Sequence, residues 1–339
     1  MRTKAILLVL LIINIHTYGS VRIIGKGATY PAIYYNELFK NYPDSEVTIH
    51  YKGIGSGQGY LALKNNQTHF AGSDLIINKT LQKHLNTAIL QIPSTFSAIA
   101  ICYQLENIPT LNLTSELLSK IFRGKIRYWD HPLIKKINPH TNLPHIKIIP
   151  IYRKNNSGST FIFSHYLSES DSQWNSQMGT KAKHDFPVGL GSNDSQESID
   201  LLHQIQGGIT YVGLDYTKKQ NTYTANIKNN HGNYIKPTRD ALEKSFEDKD
   251  IMDSKLILTN AKQPTAYPIT SFSWIILKQN LSSKEMSKKE AIELKKLLLW
   301  LINDEKTKTL LGYKRLPKNV RKNALKQLET LTYNKKPIK

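Results

Sequence analysis

From Val21 onward, short apolar segments alternate with glycine- and hydroxyl-rich loops and with helical patterns, and this order restricts the chain to an open α/β sheet. Val21-Arg22-Ile23-Ile24 reads as a strand, Gly25 to Tyr30 as a turn, and Pro31 opens a helix predicted to reach about Tyr42. Glu46 to Tyr51 alternates as a second strand, Gly53 to Gly57 is a loop, and Gln58 to Asn65 reads as helix. His69 to Asp74 is a short strand ending on a carboxylate. The same logic returns later: strand Ile146 to Tyr152, loop Arg153 to Ser159, helix Thr160 to Leu167, then strands at Gly207 to Gly213 and Phe272 to Leu277. In such sheets ligands sit at the carboxyl ends of strands, where loops lead into helix N-termini.

At 339 residues the chain exceeds one ordinary core, so two lobes are expected. Residues 283–326 read as mostly amphipathic helix whose apolar stripe packs into that core. The first twenty residues stand apart. A basic Met1 to Lys4, the eleven-residue apolar run Ala5 to Ile15 and a polar stretch ending at Gly19-Ser20 read as a cleaved secretory signal, which sends the protein to a bacterial periplasm. Cys102 is the single cysteine, so no intramolecular disulfide forms, and its apolar surroundings mark it as a small buried hydrophobe. The formal net charge is +20, or +18 once Arg2 and Lys4 leave with the signal. The lysines and arginines are scattered rather than massed, which fits a solvated basic surface and gives no nucleic-acid patch.

The informative residues lie in three loops ahead of helices: Thr29 before Pro31, Ser56 within Gly53 to Gly57, and Ser157-Gly158-Ser159 before Thr160. A helix N-terminus offers unpaired N–H groups and the positive end of its dipole. Adding hydroxyls and glycines makes an oxyanion cradle, although a Ser or Thr there ordinarily serves as an N-cap. Nucleotide motifs fail: no Walker A run occurs, Gln58 stands where a third glycine would complete Gly-x-Gly-x-x-Gly, and the esterase elbow is absent around Ser56 and Ser157. His140 and His145 lack metal-ligand spacing, so neither a metal nor a cofactor is expected.

Together, Gly25-Lys26-Gly27-Ala28-Thr29-Tyr30-Pro31, Tyr51 to Gly57 and Phe70-Ala71-Gly72-Ser73-Asp74 resemble the first anion-binding loops of the periplasmic phosphate-binding proteins of ABC-type importers (the PstS family). Gly124 to Asp130, Arg153 to Phe161, Phe186 to Gly191 and Tyr267 to Ser271 continue the match in order, over about residues 21–330. The resemblance implies the type II two-lobed periplasmic binding protein fold. Each lobe is an open α/β sheet with the ligand in the interlobe cleft: 21–95 plus 266–339 as lobe one, 96–265 as lobe two. It implies a non-enzymatic role. The chain would bind inorganic phosphate as a monomer, close by a hinge, and deliver the ion to membrane permease subunits served by an ATPase. The phosphate ligands so implied are Thr29, Tyr30, Ser56, Asp74, Arg153, Ser157, Gly158 and Ser159.

The chemistry of these residues agrees with that assignment. The hydroxyls and N–H groups would donate to phosphate oxygens, Tyr30 and Gly158 through N–H alone, and Arg153 adds charge and a planar donor fork. Asp74 would accept a hydrogen bond from a protonated phosphate oxygen and repel sulfate, which carries no such proton. Three positions depart from the family pattern: Tyr30 replaces its usual Phe, Ser159 its usual Thr, and Asn155 an Asp that pairs with the site arginine in many members. The last predicts a more positive cleft with salt-sensitive binding. The competing readings are a secreted phosphoester hydrolase and a binder of another oxyanion.

Overall fold

The computed structural model describes residues 21–77, 82, 87–219, 221–246, 257–304 and 316–338. The signal-like segment 1–20 and part of the C-terminal helical region, 305–315, lie outside the described residues. The strands include β1 Val21–Gly27, β2 Val47–Gly53, β3 Phe70–Ser73, β4 Ile89–Tyr103, β5 Asn112–Leu113, β6 Ile149–Arg153, β7 Leu190–Ser192, β8 Gly208–Gly213, β9 Asn226–Lys228, β10 Tyr234–Ile235, β11 Ile257–Thr259 and β12 Ile269–Lys278, and three two-residue strands near the C-terminus, Asn280–Leu281, Thr332–Tyr333 and Lys336–Pro337, form a small separate sheet. The helices that position the site are α1 Ala32–Phe39, α2 Ser56–Lys64, α3 Ser115–Phe122, α4 Pro132–Ile137, α5 Gly158–Ser170, α6 Ser172–Gln177, α7 Ser195–Gln204 and α8 Leu214–Lys219.

One sheet runs through both halves in the order β2-β1-β3-β12-β4-β8-β6-β7, with β11 beside β12. β1 alternates between buried and more open positions, as the period of two demands. β12 is buried along nearly its whole length, the pattern of a central strand covered on both faces. β1 is parallel to β2 and β3, and β6 is parallel to β7 and β8, so each half presents strand carboxyl ends to the same cleft.

The two halves share β4. It pairs antiparallel with β12 through Ala98 and with β8 from Ile99, so one continuous strand changes partner between adjacent residues. The larger core lies under the second half and contains Ile101, Phe122, Trp129, Phe163, Trp174 and Cys102, the cysteine being fully buried as expected. A second packs helix Lys288–Asn303 against β1 and β2 through Leu294, Leu297, Leu298 and Leu301. The apolar stripe of that helix is therefore core, and a capping box between Ser287 and Glu290 fixes its start. A second C-terminal helix, Lys318–Glu329, adds Ala324 and Leu328 to the same core.

Candidate functional site

The three hydroxyl-bearing loops, Asp74 and Arg153 converge where the strand carboxyl ends of the two halves meet. Thr29 follows β1, Ser56 opens α2 after β2, and Asp74 follows β3. From the other half, Arg153 ends β6 and Ser157-Gly158-Ser159 start α5. The loops of the first half are tied by backbone bonds, since Gly27 O accepts from both Ile54 N and Gly55 N and Gly72 O accepts from Ala28 N. Thr29 is 5% exposed, and Ser56, Asp74, Arg153, Ser157 and Ser159 are each 1–2% exposed, so an anion held among them is shut off from solvent.

Capping, the ordinary role of a hydroxyl at such a position, is found at one of the three helices. Ser157 Oγ accepts from Thr160 N at 3.3 Å and is a true N-cap of α5. α1 and α2 have no side-chain cap: Pro31 and Gly55 occupy the cap positions, and Ser56 is already the first helical residue. Their leading N–H groups are thus not consumed by a side chain, which suits an anion better than a capped start would. Gly55 makes this possible with φ of 93°, in the region that side chains rarely adopt.

The hydroxyls are oriented by what they accept. A hydroxyl carries one proton and two acceptor lone pairs. Asp74 N donates to Ser56 Oγ at 3.1 Å, Arg153 Nη1 to Thr29 Oγ1 at 3.1 Å, and Thr160 N to Ser157 Oγ. With one lone pair occupied by a protein donor, the Ser157 proton is left to donate outward, whereas the Thr29 and Ser56 hydroxyls also have Ser195 Oγ and the Asp74 carboxyl beside them. Ser159 Oγ and Arg153 Nε go further, being buried with no hydrogen-bond partner among the described residues. Tyr30 is 1% exposed, and its ring packs on Gly213 of the opposite half, where a Cβ would fall 2.6 Å from Cδ2.

Asp74 is enclosed. Ser273 Oγ donates to its Oδ1 at 2.5 Å, and its other side lies against Gly158, where a Cβ would fall 2.6 Å from Oδ2. Burial pushes its carboxyl up to about 7, against the opposing pull of Ser273, Arg153 and Ser56. Burial likewise pulls the Arg153 guanidinium below its usual range, opposed by Tyr211, Asp194, Tyr216 and Asp74.

Four partners of these residues were not legible beforehand. Ser195, the first residue of α7, lies 2.8 Å from Thr29 Oγ1, and Tyr216 of α8 donates to Thr29 O at 2.7 Å. Asn193 O accepts from Arg153 Nη2 at 2.9 Å and from Asn155 Nδ2 at 2.6 Å, while Asn155 Oδ1 accepts from Arg153 Nη2 at 2.9 Å. The amide at position 155 therefore does what a carboxylate could not, accepting from the arginine and donating to a carbonyl at once. Asp194, the side-chain cap of α7, supplies a negative charge that favours ionised Arg153 from another loop. The only sequence signal for this cluster was Asp194-Ser195 ahead of an amphipathic helix, indistinguishable from an ordinary cap.

Residues 15–305 match the family model described as a PBP superfamily domain. The phosphate-binding protein PstS of Xylella fastidiosa (strain 9a5c) is 31% identical over 324 residues, covering 91% of this chain and 84% of that protein. Its namesake in Methanocaldococcus jannaschii is 29% identical over 321 residues, covering 87% and 82%. Among solved structures, the high-affinity periplasmic phosphate-binding protein PfluDING, bound with phosphate, superposes with a TM-score of 0.73 at 18% identity, covering 89% of this chain and 92% of that one. A putative phosphate ABC transporter substrate-binding protein from Clostridium perfringens gives 0.61 at 14% identity, covering 87% and 100%. These likenesses establish the two-lobed periplasmic binding protein fold, and together with the family match and the Xylella relative they place the chain in the PstS family of phosphate-binding proteins.

Proposed function

We propose that this chain captures inorganic phosphate in the periplasm and delivers it to the permease of an ABC-type importer. The observation that carries this reading is the pairing of unused buried donors, Ser159 Oγ and Arg153 Nε, with a buried acceptor, Asp74, at the same cleft. A site built only of donors suits any oxyanion, whereas one buried carboxylate selects an anion that brings its own proton. Thr29, Tyr30, Ser56 and Asp74 are the ligands from one lobe; Arg153, Ser157, Gly158 and Ser159 are those from the other. Asn155 holds the arginine. Phosphate is the ligand for which the Xylella and Methanocaldococcus relatives are named, and an ABC transporter is the system to which the Clostridium perfringens protein is ascribed.

We place lobe one at 21–95 plus 266–339 and lobe two at 96–265. The partner change of β4 between Ala98 and Ile99 lies a few residues from the first boundary, and Tyr267, whose hydroxyl donates to Ile99 O at 3.0 Å, lies at the second. Residues this deeply buried can receive a ligand only if the lobes part, so binding requires hinge closure around the anion. Residues 1–20 serve as the export signal, and the protein works as a monomer. Among the described residues no helix is long and apolar enough to cross a membrane.

Calorimetric titration with phosphate, arsenate, sulfate and a phosphomonoester tests the reading. Tight phosphate binding with sulfate rejected is expected. Tight sulfate binding reassigns the ligand, and release of alcohol from the ester replaces capture with hydrolysis.

A further inference from the structure

The two oxygens of Asp74 have different surroundings. Oδ1 accepts from Ser273 Oγ at 2.5 Å within the first half, while Oδ2 faces Gly158 across the cleft. Ser273 lies on β12 where the ladder with β4 is irregular: Ser273 pairs with Thr95 and Trp274 with Pro93, which leaves Ser94 as an extra residue. Such bulges re-aim side chains beside functional sites. Ser94 Oγ donates its one proton to Ser273 O at 3.0 Å, so the bond between Ser94 Oγ and Tyr35 must be donated by the tyrosine hydroxyl. Buried hydrogen bonds thus link Tyr35 on α1 to Ser94, Ser94 to the Ser273 carbonyl, and the Ser273 hydroxyl to Asp74, with the two serines on the strand that joins the halves and on that strand's neighbour. All four residues are 0–1% exposed.

We propose that Ser273 is a positioning residue for anion selection: by engaging Asp74 Oδ1 it leaves Oδ2 as the oxygen presented to the proton of the bound anion, and Ser94 and Tyr35 hold it in place. This rests on the reading of the site as a phosphate cradle. The consequence lies in the protonation of Asp74. The titratable groups around it are Arg153 from β6 and the hydroxyls of Tyr30, Tyr35, Tyr51 and Tyr216. Burial pushes these phenols up, so they stay neutral, and Arg153 stays charged. Among these groups, Asp74 is the one whose charge changes near neutrality. Once protonated it becomes a donor, and its repulsion of sulfate is lost. Ser273 donates to the ionised form and so delays that change to lower pH.

The test is titration of wild type, Ser273→Ala and Ser273→Thr with inorganic phosphate and with sulfate between about pH 5 and 9 at constant ionic strength. In wild type, sulfate affinity is expected to rise as pH falls, as Asp74 takes up its proton. In Ser273→Ala that rise begins at higher pH, and phosphate affinity at pH 8 drops about tenfold, the loss of one hydrogen bond to a charged group. Ser273→Thr, which keeps the hydroxyl, restores both. An alanine variant that loses phosphate affinity but keeps the wild-type pH profile of the phosphate-to-sulfate ratio overturns the proposal, because a purely structural residue behaves that way. A wild-type affinity and profile in Ser273→Ala overturn it as well. Ser94→Ala leaves the direct partner in place and loosens its anchor; it shifts the profile in the same direction by less and carries the test if Ser273→Ala does not fold. Failure of wild type to bind phosphate at any pH is the separate outcome that removes the cradle reading itself.

Discussion

Arg153 Nη1 donates to Thr29 Oγ1 at 3.1 Å, joining side chains 124 positions apart that belong to opposite halves of the molecule. The cation proposed as a phosphate ligand thus also ties the two halves together. Ser195 Oγ and the Tyr216 hydroxyl engage the same threonine, on its side chain and on its carbonyl. These bonds exist only while the halves are together.

Ser195→Ala and Tyr216→Phe are expected to weaken phosphate binding about three- to tenfold each, the worth of one neutral hydrogen bond. The loss should appear in the dissociation rate, since the latch forms after encounter. Stopped-flow release measurements check this, and unchanged off-rates in both variants would remove the latch.

Asp74→Asn replaces the proposed acceptor of the anion's proton with a group that can also donate. Phosphate affinity is expected to fall and sulfate affinity to rise, narrowing the ratio at pH 8 by at least about tenfold, the size of one charged hydrogen bond. Sulfate rejection equal to wild type in calorimetry contradicts the role given to Asp74.

The contribution of Asp74 to stability should fall as pH rises through the window from about 4 to about 7. Asp74 is neutral in both folded and unfolded chains below its unfolded value of 3.8, and burial holds the folded value near 7. Between these limits the folded chain keeps a proton that the unfolded chain releases, so for this group stability falls by at most about 1.4 kcal/mol per pH unit. Asp74→Asn, neutral throughout, should gain in melting temperature on wild type across that window in phosphate-free buffer. Parallel melting curves would show that burial does not shift Asp74.

Gly158→Ala introduces a Cβ 2.3 Å from the Asp74 Cβ, which closure leaves no room for. Phosphate affinity should fall by about a hundredfold or more, as two or three kcal/mol of steric conflict implies. Solution scattering in saturating phosphate should show the variant in a more extended form than wild type, and a wild-type scattering curve would count against tight contact at this point.

Asn155→Asp adds a negative charge beside Arg153 but removes the donor that meets Asn193 O at 2.6 Å. Phosphate affinity is expected to drop, and its dependence on salt to flatten because the cleft becomes less positive. Equal slopes of affinity against ionic strength for the two proteins would refute the idea that the amide makes capture salt-sensitive.

The loops that meet at the candidate site were readable because each is a short contiguous signal: glycines where the backbone must turn, a hydroxyl, and an apolar pattern on either side. Asp74 was readable for the same reason, as a carboxylate ending a strand. The detailed uses of the hydroxyls were not, since Thr29 and Ser56 look like caps in sequence and serve instead at uncapped helix starts. Ser195, Tyr216 and Ser273 were invisible because their partners lie 166, 187 and 199 positions away.

The sequence by itself determined the α/β order of elements, the family, and which residue types line the cleft, because periodicity, turn chemistry and loop composition are local properties of the chain. Only the tertiary structure decided which oxygen of Asp74 faces Gly158, which groups latch Thr29, and where β4 changes partner. Those depend on the approach of segments far apart in sequence, and local patterning carries no term for that.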